Sequence, residues 1–504
     1  MKEPLVSRRS PAFYGQLLAA LIAGVLTTLT ASPFKLWWLG PVAIALVYTG
    51  LYRLTPAQAA FKGWLYGVGL FASGTSWVYV SIHDYGYTGV PLAVFLTALF
   101  VVVLALFFAA TLWLYRRFFT PRLAFLTFAG IWVLGEVLRT YLFTGFPWLL
   151  LGSSQVDAPL AEWAPVGGVY LLSLLVALSG TLLAELVLCR RLWAVAPLAA
   201  IWLVPLALPG QWTHRADAEP TRVALLQGNL PQLTKWTAEG QREAANTYAR
   251  LTRQVADDVD LILWPETALP MAEQDARMVL SRVQANLAPD TALMTGIVQR
   301  NAAGQYFNSV VGVGDVEGSY QKEHLVPFGE YLPLESLLRG TIDFFDLPMS
   351  TFASGAGEQT PMSAAGTALG NAICYEIIYP QLVASRARHS GALITVSNDT
   401  WFGGSIGPHQ HLQMARLRAR ENGRYVLRAT SNGITAIINP KGEVEARAPQ
   451  FEAASLTGEF YAMEGLTPFT RLGSWPAWLL AGALVIPGLV RRRRATAGPE
   501  SQRR

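Results

Sequence analysis

Residues 371–379, which read Asn-Ala-Ile-Cys-Tyr-Glu-Ile-Ile-Tyr, decide the fold of the second half of the chain. An apolar run over residues 368–373 leads into Cys374 and predicts a buried strand. The thiol therefore stands at the end of a strand, directly before Tyr375 and Glu376. A cysteine in this place can project into a cleft as a nucleophile, or it can be a small core residue.

Two other segments place charged side chains where strands end. Residues 261–264 are apolar and predict a strand; a proline stops it, and Glu266 follows. Residues 320–330 carry Lys322, then a loop with proline and glycine that ends on Glu330. Alone, such side chains are usually solvated surface groups. Their significance comes from their combination with Cys374 in one α/β-patterned region.

Around these segments, residues 212–470 alternate β-like and helical patterns, which predicts packed α/β layers. Two strands, Tyr425–Ser431 and Ile434–Asn439, are expected to form a hairpin around an Asn-Gly turn. A helix is expected over Gln410–Asn422, with His409 and His411 in a polar loop before it. The two histidines lack further ligands at metal-binding spacing, so no metal site is expected there.

The order Glu266, Lys322, Cys374 in an α/β region resembles the nitrilase (carbon–nitrogen hydrolase) superfamily. The resemblance implies an αββα sandwich. It implies that Cys374 attacks an acyl carbon, that Glu266 takes the thiol proton and that Lys322 stabilises the tetrahedral oxyanion. It implies no metal and no cofactor.

Composition points to a membrane protein. Of the 504 residues, 52% are hydrophobic and only 14% are charged, with a net charge of +5. A soluble domain has about 25% charged residues. Eight apolar segments come close to the length of about 20 residues that a bilayer-spanning helix needs. They are Phe13–Ala31, Leu36–Tyr52, Gly63–Ile82, Val90–Tyr115, Leu123–Phe143, Ala164–Leu188, Leu192–Leu208 and Leu472–Val490.

The basic residues predict the orientation of these segments. Lysines and arginines concentrate before the first span, in alternate loops and after the last span, which places both termini in the cytoplasm by the positive-inside rule. They are Lys2, Arg8, Arg9, Arg53, Lys62, Arg116, Arg117, Arg122, Arg190, Arg191 and Arg491–Arg494. The long region before the last span then lies outside the inner membrane, in the bacterial periplasm.

The predicted fold is thus an integral membrane α-helical bundle of eight spans joined to an α/β nitrilase-like αββα sandwich. Residues 1–211 are expected to form a transmembrane domain with seven helices, and residues 212–470 a periplasmic catalytic domain. Residues 471–504 are expected to be the eighth helix with a basic cytoplasmic tail. Glu136 and Arg139, three residues apart near the end of the fifth span, are either a functional pair or a structural one.

A nitrilase-like domain inserted before the last span resembles the apolipoprotein N-acyltransferase family. The motifs are Gln227-Gly228-Asn229 with Trp236, Trp264-Pro265-Glu266, His324 to Glu330, Cys374-Tyr375-Glu376 and Ser397 to Phe402.

The resemblance implies acyl transfer from a phospholipid, usually phosphatidylethanolamine, through a cysteine thioester. The acceptor is the α-amine of the N-terminal diacylglyceryl-cysteine of an apolipoprotein. Glu330 and Glu376 would orient Lys322 or the cysteine loop, and Trp236 and Tyr375 would line the substrate pocket. A monomer suffices, because one site can serve both half-reactions.

Two alternatives stay open at this point. One is a membrane-tethered amidase or nitrilase that hydrolyses a small amide; eight spans count against it, since one anchor would serve. The other is a transporter or binding protein with an inactive outer domain; the intact Glu266, Lys322 and Cys374 count against it.

Overall fold

The computed structural model describes residues 7, 10–119, 123–333, 335–338, 340 and 351–496. The chain divides into two compact units. Unit 1 comprises Met1–Ser76, Val94–Gly210 and Ser474–Arg504, and unit 2 comprises Trp77–Ala93 and Gln211–Gly473. Of the basic residues in the orientation argument, Lys2, Arg8, Arg9 and Arg122 lie outside the described residues, as do the side chains of Arg491–Arg494.

The helices of the described residues follow the apolar segments and the amphipathic segments of the sequence. They are α1 Pro11–Thr30, α2 Leu39–Tyr48, α3 Pro56–Gly74, α4 Trp77–His83, α5 Val90–Phe118, α6 Ala124–Tyr141, α7 Ala164–Val187, α8 Val195–Leu203, α9 Ala238–Arg253, α10 Glu273–Gln284, α11 Glu335–Leu338, α12 Pro380–Ala387, α13 Gly407–Asn422, α14 Pro468–Leu472 and α15 Trp475–Thr496.

Unit 1 is helical, and four segments in the described part of the chain are long and apolar enough to cross a membrane. They are Pro11–Thr30, Val90–Phe118, Ala124–Thr144 and Pro159–Val187. Two shorter apolar helical segments are Leu192–Ala207 and Trp475–Leu489. These segments leave many large apolar side chains exposed, as expected of helices that face lipid.

Four of the eight predicted spans are not among these four long segments: the seventh and eighth correspond to the two shorter segments, and the second and third differ further. The second becomes α2, a helix of only 10 residues, which is half of what a bilayer needs. The third ends at Gly74, and the separate helix α4 begins at Trp77 and belongs to unit 2. The structure therefore supports four spans by length and composition, and eight spans remain a prediction.

Glu136 and Arg139 bind the irregular segment that follows α6. The Arg139 guanidinium donates from Nη1 to the carbonyls of Phe146 and Trp148, at 2.8 and 2.6 Å. The Glu136 carboxylate accepts the backbone N–H of Leu151 at 2.8 Å. Both side chains thereby satisfy backbone groups that no helix pairs, which is a structural role.

Unit 2 contains two large mixed sheets. Their strands are β1 His214–Arg215, β2 Thr221–Gln227, β3 Leu261–Leu263, β4 Leu269–Ala272, β5 Ala292–Arg300, β6 Tyr306–Gly314, β7 Val316–Glu317, β8 Ser319–Gln321, β9 Met362–Ala364, β10 Thr367–Ile373, β11 Ala392–Ser397, β12 Val426–Thr430, β13 Ala436–Ile438, β14 Val444–Arg447, β15 Ala454–Phe460 and β16 Met463–Glu464.

The first sheet has the order β15-β2-β3-β5-β6-β8, with β4 beside β5, and the second has the order β14-β13-β12-β11-β10-β9-β7. The central strands are parallel: β2, β3 and β5 in the first sheet, and β10, β11 and β12 in the second. Because both faces of these strands are covered, they read as continuous apolar runs in the sequence. The strands β12 and β13 form the antiparallel pair that was predicted around the Asn-Gly turn.

The two sheets pack face to face and helices cover them. One core joins side chains of both sheets, among them Leu263, Val310, Ile373 and Val396. A second core joins the other face of the first sheet to α9 and α10. Helices α12 and α13 contact the second sheet. The layers therefore run helix, sheet, sheet, helix, which is the nitrilase-like αββα sandwich predicted from the sequence.

One expectation for this unit is wrong. His409 and His411 do not precede a helix; both lie within α13, which begins at Gly407. Pro408 stands in its first turn, where the missing N–H of proline has no helical partner to lose. The helix therefore starts three residues earlier than expected, and its buried face includes His411.

Candidate active site

Cys374 lies where β10 ends and a short 3₁₀ helix, Cys374–Ile378, begins. Its backbone is left-handed, with φ of 52°. This conformation is unfavourable for a residue with a Cβ, because the Cβ approaches a carbonyl oxygen. The side chain is half-buried and its thiol interacts with the hydroxyl of Ser397, at the end of the neighbouring strand β11.

Glu266 follows β3 and its carboxylate is held on three sides. Oε1 accepts from the Asn308 side-chain amide at 2.6 Å and from the Lys322 ammonium at 3.5 Å. Oε2 accepts the backbone N–H of Asn398 at 2.7 Å. With 6% exposure, the carboxylate has one fixed orientation at the carboxyl end of a parallel strand.

Lys322 follows β8 and is 1% exposed. Its ammonium lies 2.9 and 2.8 Å from the two oxygens of Glu330, besides the 3.5 Å contact with Glu266. Burial opposes the charge, but the carboxylates of Glu330 and Glu266 outweigh it and raise the pKa of Lys322 above its usual range. The site therefore contains a permanent, fixed cation.

The structure brings the three residues predicted to carry the chemistry into one place. Glu266 and Lys322 are in direct contact, and both are close enough to Cys374 to act on its ionisation. Burial and the negative charge of Glu266 raise the pKa of the Cys374 thiol above its usual range, although Lys322 opposes this. The thiol is therefore protonated in this arrangement.

Glu330 and Glu376 lie beside this group. Glu330 also accepts from Asn308 at 2.8 Å and from the backbone N–H of Val326 at 2.8 Å, so it fixes the loop that follows Lys322. The Asn308 amide thus spans the two carboxylates that flank the lysine.

Glu376 is fully buried and connects the cysteine strand to the lysine segment. Oε1 accepts the backbone N–H groups of Glu323 and His324, at 2.7 and 3.0 Å. Oε2 accepts the backbone N–H of Ile373 at 2.7 Å. The Tyr320 hydroxyl lies 2.9 and 3.0 Å from the two oxygens and donates to the carboxylate.

The two aromatic residues predicted to line a pocket have different surroundings. Tyr375 is 8% exposed and packs against Tyr379 and His324, with ring centroids 5.3 and 6.0 Å apart. Trp236 is half-buried, and its indole N–H is buried without a hydrogen-bond partner among the described residues. A buried donor with no partner is a group that a bound molecule can satisfy.

Sequence reasoning gave no role in the site to Asn308, Asn398 or His411, although Asn398 lies in a quoted motif and His411 was considered as a metal ligand. Asn308 sits inside the apolar strand β6, and a polar residue in a buried strand was the only available signal. Asn398 follows β11, as Cys374 follows β10, so the strand ends pointed to it. Its side-chain amide donates to Gln232 at 2.9 Å. Among the described residues, no group of three or more His, Cys, Asp or Glu is arranged to hold a metal ion.

Comparison with known proteins identifies the family. The family described as "Apolipoprotein N-acyltransferase N-terminal domain" matches residues 23–182, and "Carbon-nitrogen hydrolase" matches residues 222–461. A protein of Azotobacter vinelandii named apolipoprotein N-acyltransferase is 47% identical over 515 residues, which cover 98% of this chain and 99% of that protein. This chain belongs to the apolipoprotein N-acyltransferase family.

Other members of the apolipoprotein N-acyltransferase family match over similar lengths. One from Pseudomonas aeruginosa strain UCBPP-PA14 is 46% identical over 498 residues, covering 96% of this chain and 97% of that protein. One from Vibrio vulnificus is 38% identical over 504 residues, covering 95% and 98%. The protein is therefore an acyltransferase enzyme, and its unit 2 is the nitrilase-like part of the family's architecture.

Proposed function

We propose that this protein transfers an acyl chain from a phospholipid, through a thioester on Cys374, to the α-amine of the N-terminal diacylglyceryl-cysteine of apolipoproteins. The observation that carries the proposal is the arrangement of Cys374, Glu266 and Lys322 at strand ends of the nitrilase-like unit. The full-length match to proteins named apolipoprotein N-acyltransferase supports the acceptor. Both substrates are lipids, which fits a chain with long apolar helices.

In the first half-reaction, the sulfur of Cys374 attacks the carbonyl carbon of a phospholipid ester while Glu266 accepts the thiol proton. The carbonyl oxygen becomes an oxyanion, which the ammonium of Lys322 stabilises. The C–O bond to the glycerol then breaks, and Glu266 returns the proton to the leaving oxygen. The products are a lysophospholipid and an acyl-thioester enzyme.

In the second half-reaction, the α-amine of the acceptor attacks the thioester carbonyl. Glu266 accepts a proton from the attacking nitrogen, and Lys322 again faces the oxyanion. The C–S bond then breaks, and the sulfur of Cys374 leaves as the thiolate. The thiolate takes the proton from Glu266. The product is an N-acyl amide, and the enzyme returns to its resting state.

The fixed positions of the supporting groups suit both steps. Glu330 binds Lys322 through both carboxylate oxygens and keeps the ammonium in place. Glu376 holds the backbone on either side of the site. We assign to Trp236 and Tyr375 the lining of the acyl or lipoprotein pocket, since the buried indole N–H of Trp236, which has no partner in the described part of the chain, can donate to a substrate oxygen.

We further propose eight spans, cytoplasmic termini and a periplasmic catalytic unit in the bacterial inner membrane. The alternation of basic loops with loops poor in lysine and arginine, Lys35 being the main exception, supports this orientation. We propose phosphatidylethanolamine as donor and a monomer as the working form.

We propose that the thiol works at the membrane surface for an energetic reason. Extracting a long acyl chain into water costs on the order of 10 kcal/mol at about 0.8 kcal/mol per CH₂.

The test is mass spectrometry of the Cys374 peptide after the purified protein is incubated with phosphatidylethanolamine and no acceptor. We expect an acyl adduct on Cys374 that hydroxylamine removes and that a diacylglyceryl peptide also removes. Cys374→Ala should lose the adduct and all N-acylation. Cys189→Ala is the matched control, because Cys189 is the other cysteine and lies exposed in unit 1.

Two results would contradict the proposal. A folded protein that forms no adduct but hydrolyses a small amide is a membrane-tethered amidase. A Cys374→Ala variant that still supports lipoprotein acylation at the native rate would exclude the thioester route and would show that Cys374 of unit 2 has no role in catalysis.

A further inference from the structure

His411, which sequence reasoning placed in a loop, contacts the backbone of Cys374. His411 lies on α13 and is 1% exposed. Its Nε2 is 3.1 Å from the backbone carbonyl oxygen of Cys374. This carbonyl belongs to a residue with a left-handed backbone, a conformation that is unfavourable by itself for a residue with a Cβ.

The contacts of the imidazole fix which nitrogen carries the proton. A carbonyl oxygen only accepts, so Nε2 is the protonated nitrogen and donates to Cys374. Nδ1 lies 3.1 Å from Nη2 of Arg428, which only donates, and 3.0 Å from Oδ1 of Asp399. Burial and the charge of Arg428 lower the pKa of His411 below its usual value, although the negative charge of Asp399 acts in the opposite direction. Nδ1 thus lies between a donor, Arg428, and an acceptor, Asp399, whereas Nε2–H donates to the Cys374 carbonyl in either protonation state of the ring.

Asp399 and Arg428 hold the His411 imidazole in a fixed position. Asp399 and Arg428 are paired through Oδ2 and Nη2, at 2.5 Å, and both are fully buried. Burial opposes the negative charge of Asp399, but Arg428 and His411 outweigh it and hold the pKa of Asp399 well below its usual range. Asp399 also accepts the hydroxyl proton of Ser397 at 2.7 Å, and Ser397 interacts with the thiol of Cys374. The same support therefore reaches both the carbonyl and the sulfur of the nucleophile.

We propose that His411 is a positioning residue for Cys374: its Nε2–H holds the cysteine carbonyl and keeps the backbone in the left-handed conformation that presents the thiol to Glu266 and Lys322. The inference rests on the proposed function, since it adds a residue to the same site. His411 touches no reacting atom, so it acts through the geometry of Cys374.

Two substitutions of the same chemical type separate this role from a structural one. In His411→Gln the side-chain amide nitrogen can occupy the place of Nε2 and donate to Cys374. In His411→Asn the amide is one methylene shorter and occupies the place of Nδ1, so it keeps partners in Asp399 and Arg428 but loses the cysteine carbonyl. His409→Asn is the control, because His409 is half-buried on the same helix and outside the proposed machinery.

Two rates are measured on the full-length protein by mass spectrometry of the Cys374 peptide. One is thioester formation from phosphatidylethanolamine over a range of concentrations, and the other is alkylation by iodoacetamide without lipid. We expect His411→Gln and His409→Asn to stay within about threefold of the native rates. We expect His411→Asn to lower the maximal rate of thioester formation about 10- to 100-fold, with the apparent KM unchanged, since a misplacement of about 1 Å costs about 10²-fold. Its alkylation rate should also differ from that of the native protein.

Equal rates for His411→Gln and His411→Asn would overturn the inference. So would a His411→Asn protein that fails to accumulate in folded form while His411→Gln does, because that result assigns His411 to stability alone. A native protein that forms no thioester refutes the proposed function instead, and the alkylation rates then still decide whether His411 positions Cys374.

Discussion

Replacing Glu376 by glutamine tests how the two halves of the site are held together. The carboxylate accepts four donors: the backbone N–H groups of Glu323, His324 and Ile373 and the hydroxyl of Tyr320. Glutamine is nearly the same size, but one of its two terminal atoms is an NH₂ group that cannot accept. Whichever way the amide turns, this NH₂ faces at least one backbone N–H.

The contacts give the magnitude. With the NH₂ in the place of Oε2, the bond from Ile373 is lost; in the place of Oε1, the bonds from Glu323 and His324 are lost. The first orientation costs less. A hydrogen bond to a charged group contributes about 1.5–3 kcal/mol, and the remaining bonds weaken to about 1 kcal/mol each when the charge is removed. One bond of about 1.5–3 kcal/mol is lost and three bonds weaken by at least about 0.5 kcal/mol each, so Glu376→Gln should destabilise unit 2 by about 3 kcal/mol or more.

Two measurements check this expectation. Thermal unfolding of the solubilised protein, followed by near-ultraviolet circular dichroism, should show a Tm lower by about 6 °C or more, since about 1 kcal/mol shifts Tm by about 2–4 °C at this size. Thioester formation on Cys374 should slow by about 10²-fold, because Ile373 directly precedes the nucleophile and loses its anchor. The control is Glu459→Gln, the same substitution at an exposed position of β15.

The reasoning is refuted by a Glu376→Gln protein that melts within about 1 °C of the native one and forms the thioester at the native rate. If the Tm falls but the rate of thioester formation stays native, the hydrogen bonds of Glu376 stabilise unit 2 but do not contribute to catalysis, since the shift in Tm measures only stability.

Two further predictions concern the same site. Asn308→Leu removes both amide hydrogen bonds to Glu266 and Glu330, so we expect a loss of stability of about 3 kcal/mol or more and thioester formation slower by about 10²-fold. Thermal unfolding and mass spectrometry check this, with Asn286→Leu, at an exposed position just after a helix, as the control. Unchanged values for Asn308→Leu would show that the amide holds neither carboxylate. Because burial and Glu266 raise the pKa of Cys374, its alkylation by iodoacetamide without lipid should keep rising about tenfold per pH unit beyond pH 9; a plateau near the ordinary thiol pKa of about 8.5 would show that the thiolate is stabilised in the resting enzyme.

The strand pattern of unit 2 was accessible from sequence because the central strands are parallel and buried on both faces. Apolar runs such as residues 368–373 and 261–264 mark them, and the polar residue that follows each run marks its carboxyl end. Each of Glu266 and Cys374 follows such a run, one in each sheet, which is why both could be singled out before any coordinates. The long apolar segments of unit 1 were equally clear, although α2 shows that apolar length alone overestimates helix length.

The sequence by itself determined the layers of unit 2, the membrane character of unit 1 and the order of glutamate, lysine and cysteine, because periodicity and composition are local properties of a chain. The tertiary structure alone decided which polar groups meet. Asn308 reaches Glu266 across 42 residues, and His411 reaches Cys374 across 37. Such contacts depend on strand order, register and the start of α13, which no local pattern specifies, and they determine the direction in which each reactive side chain points.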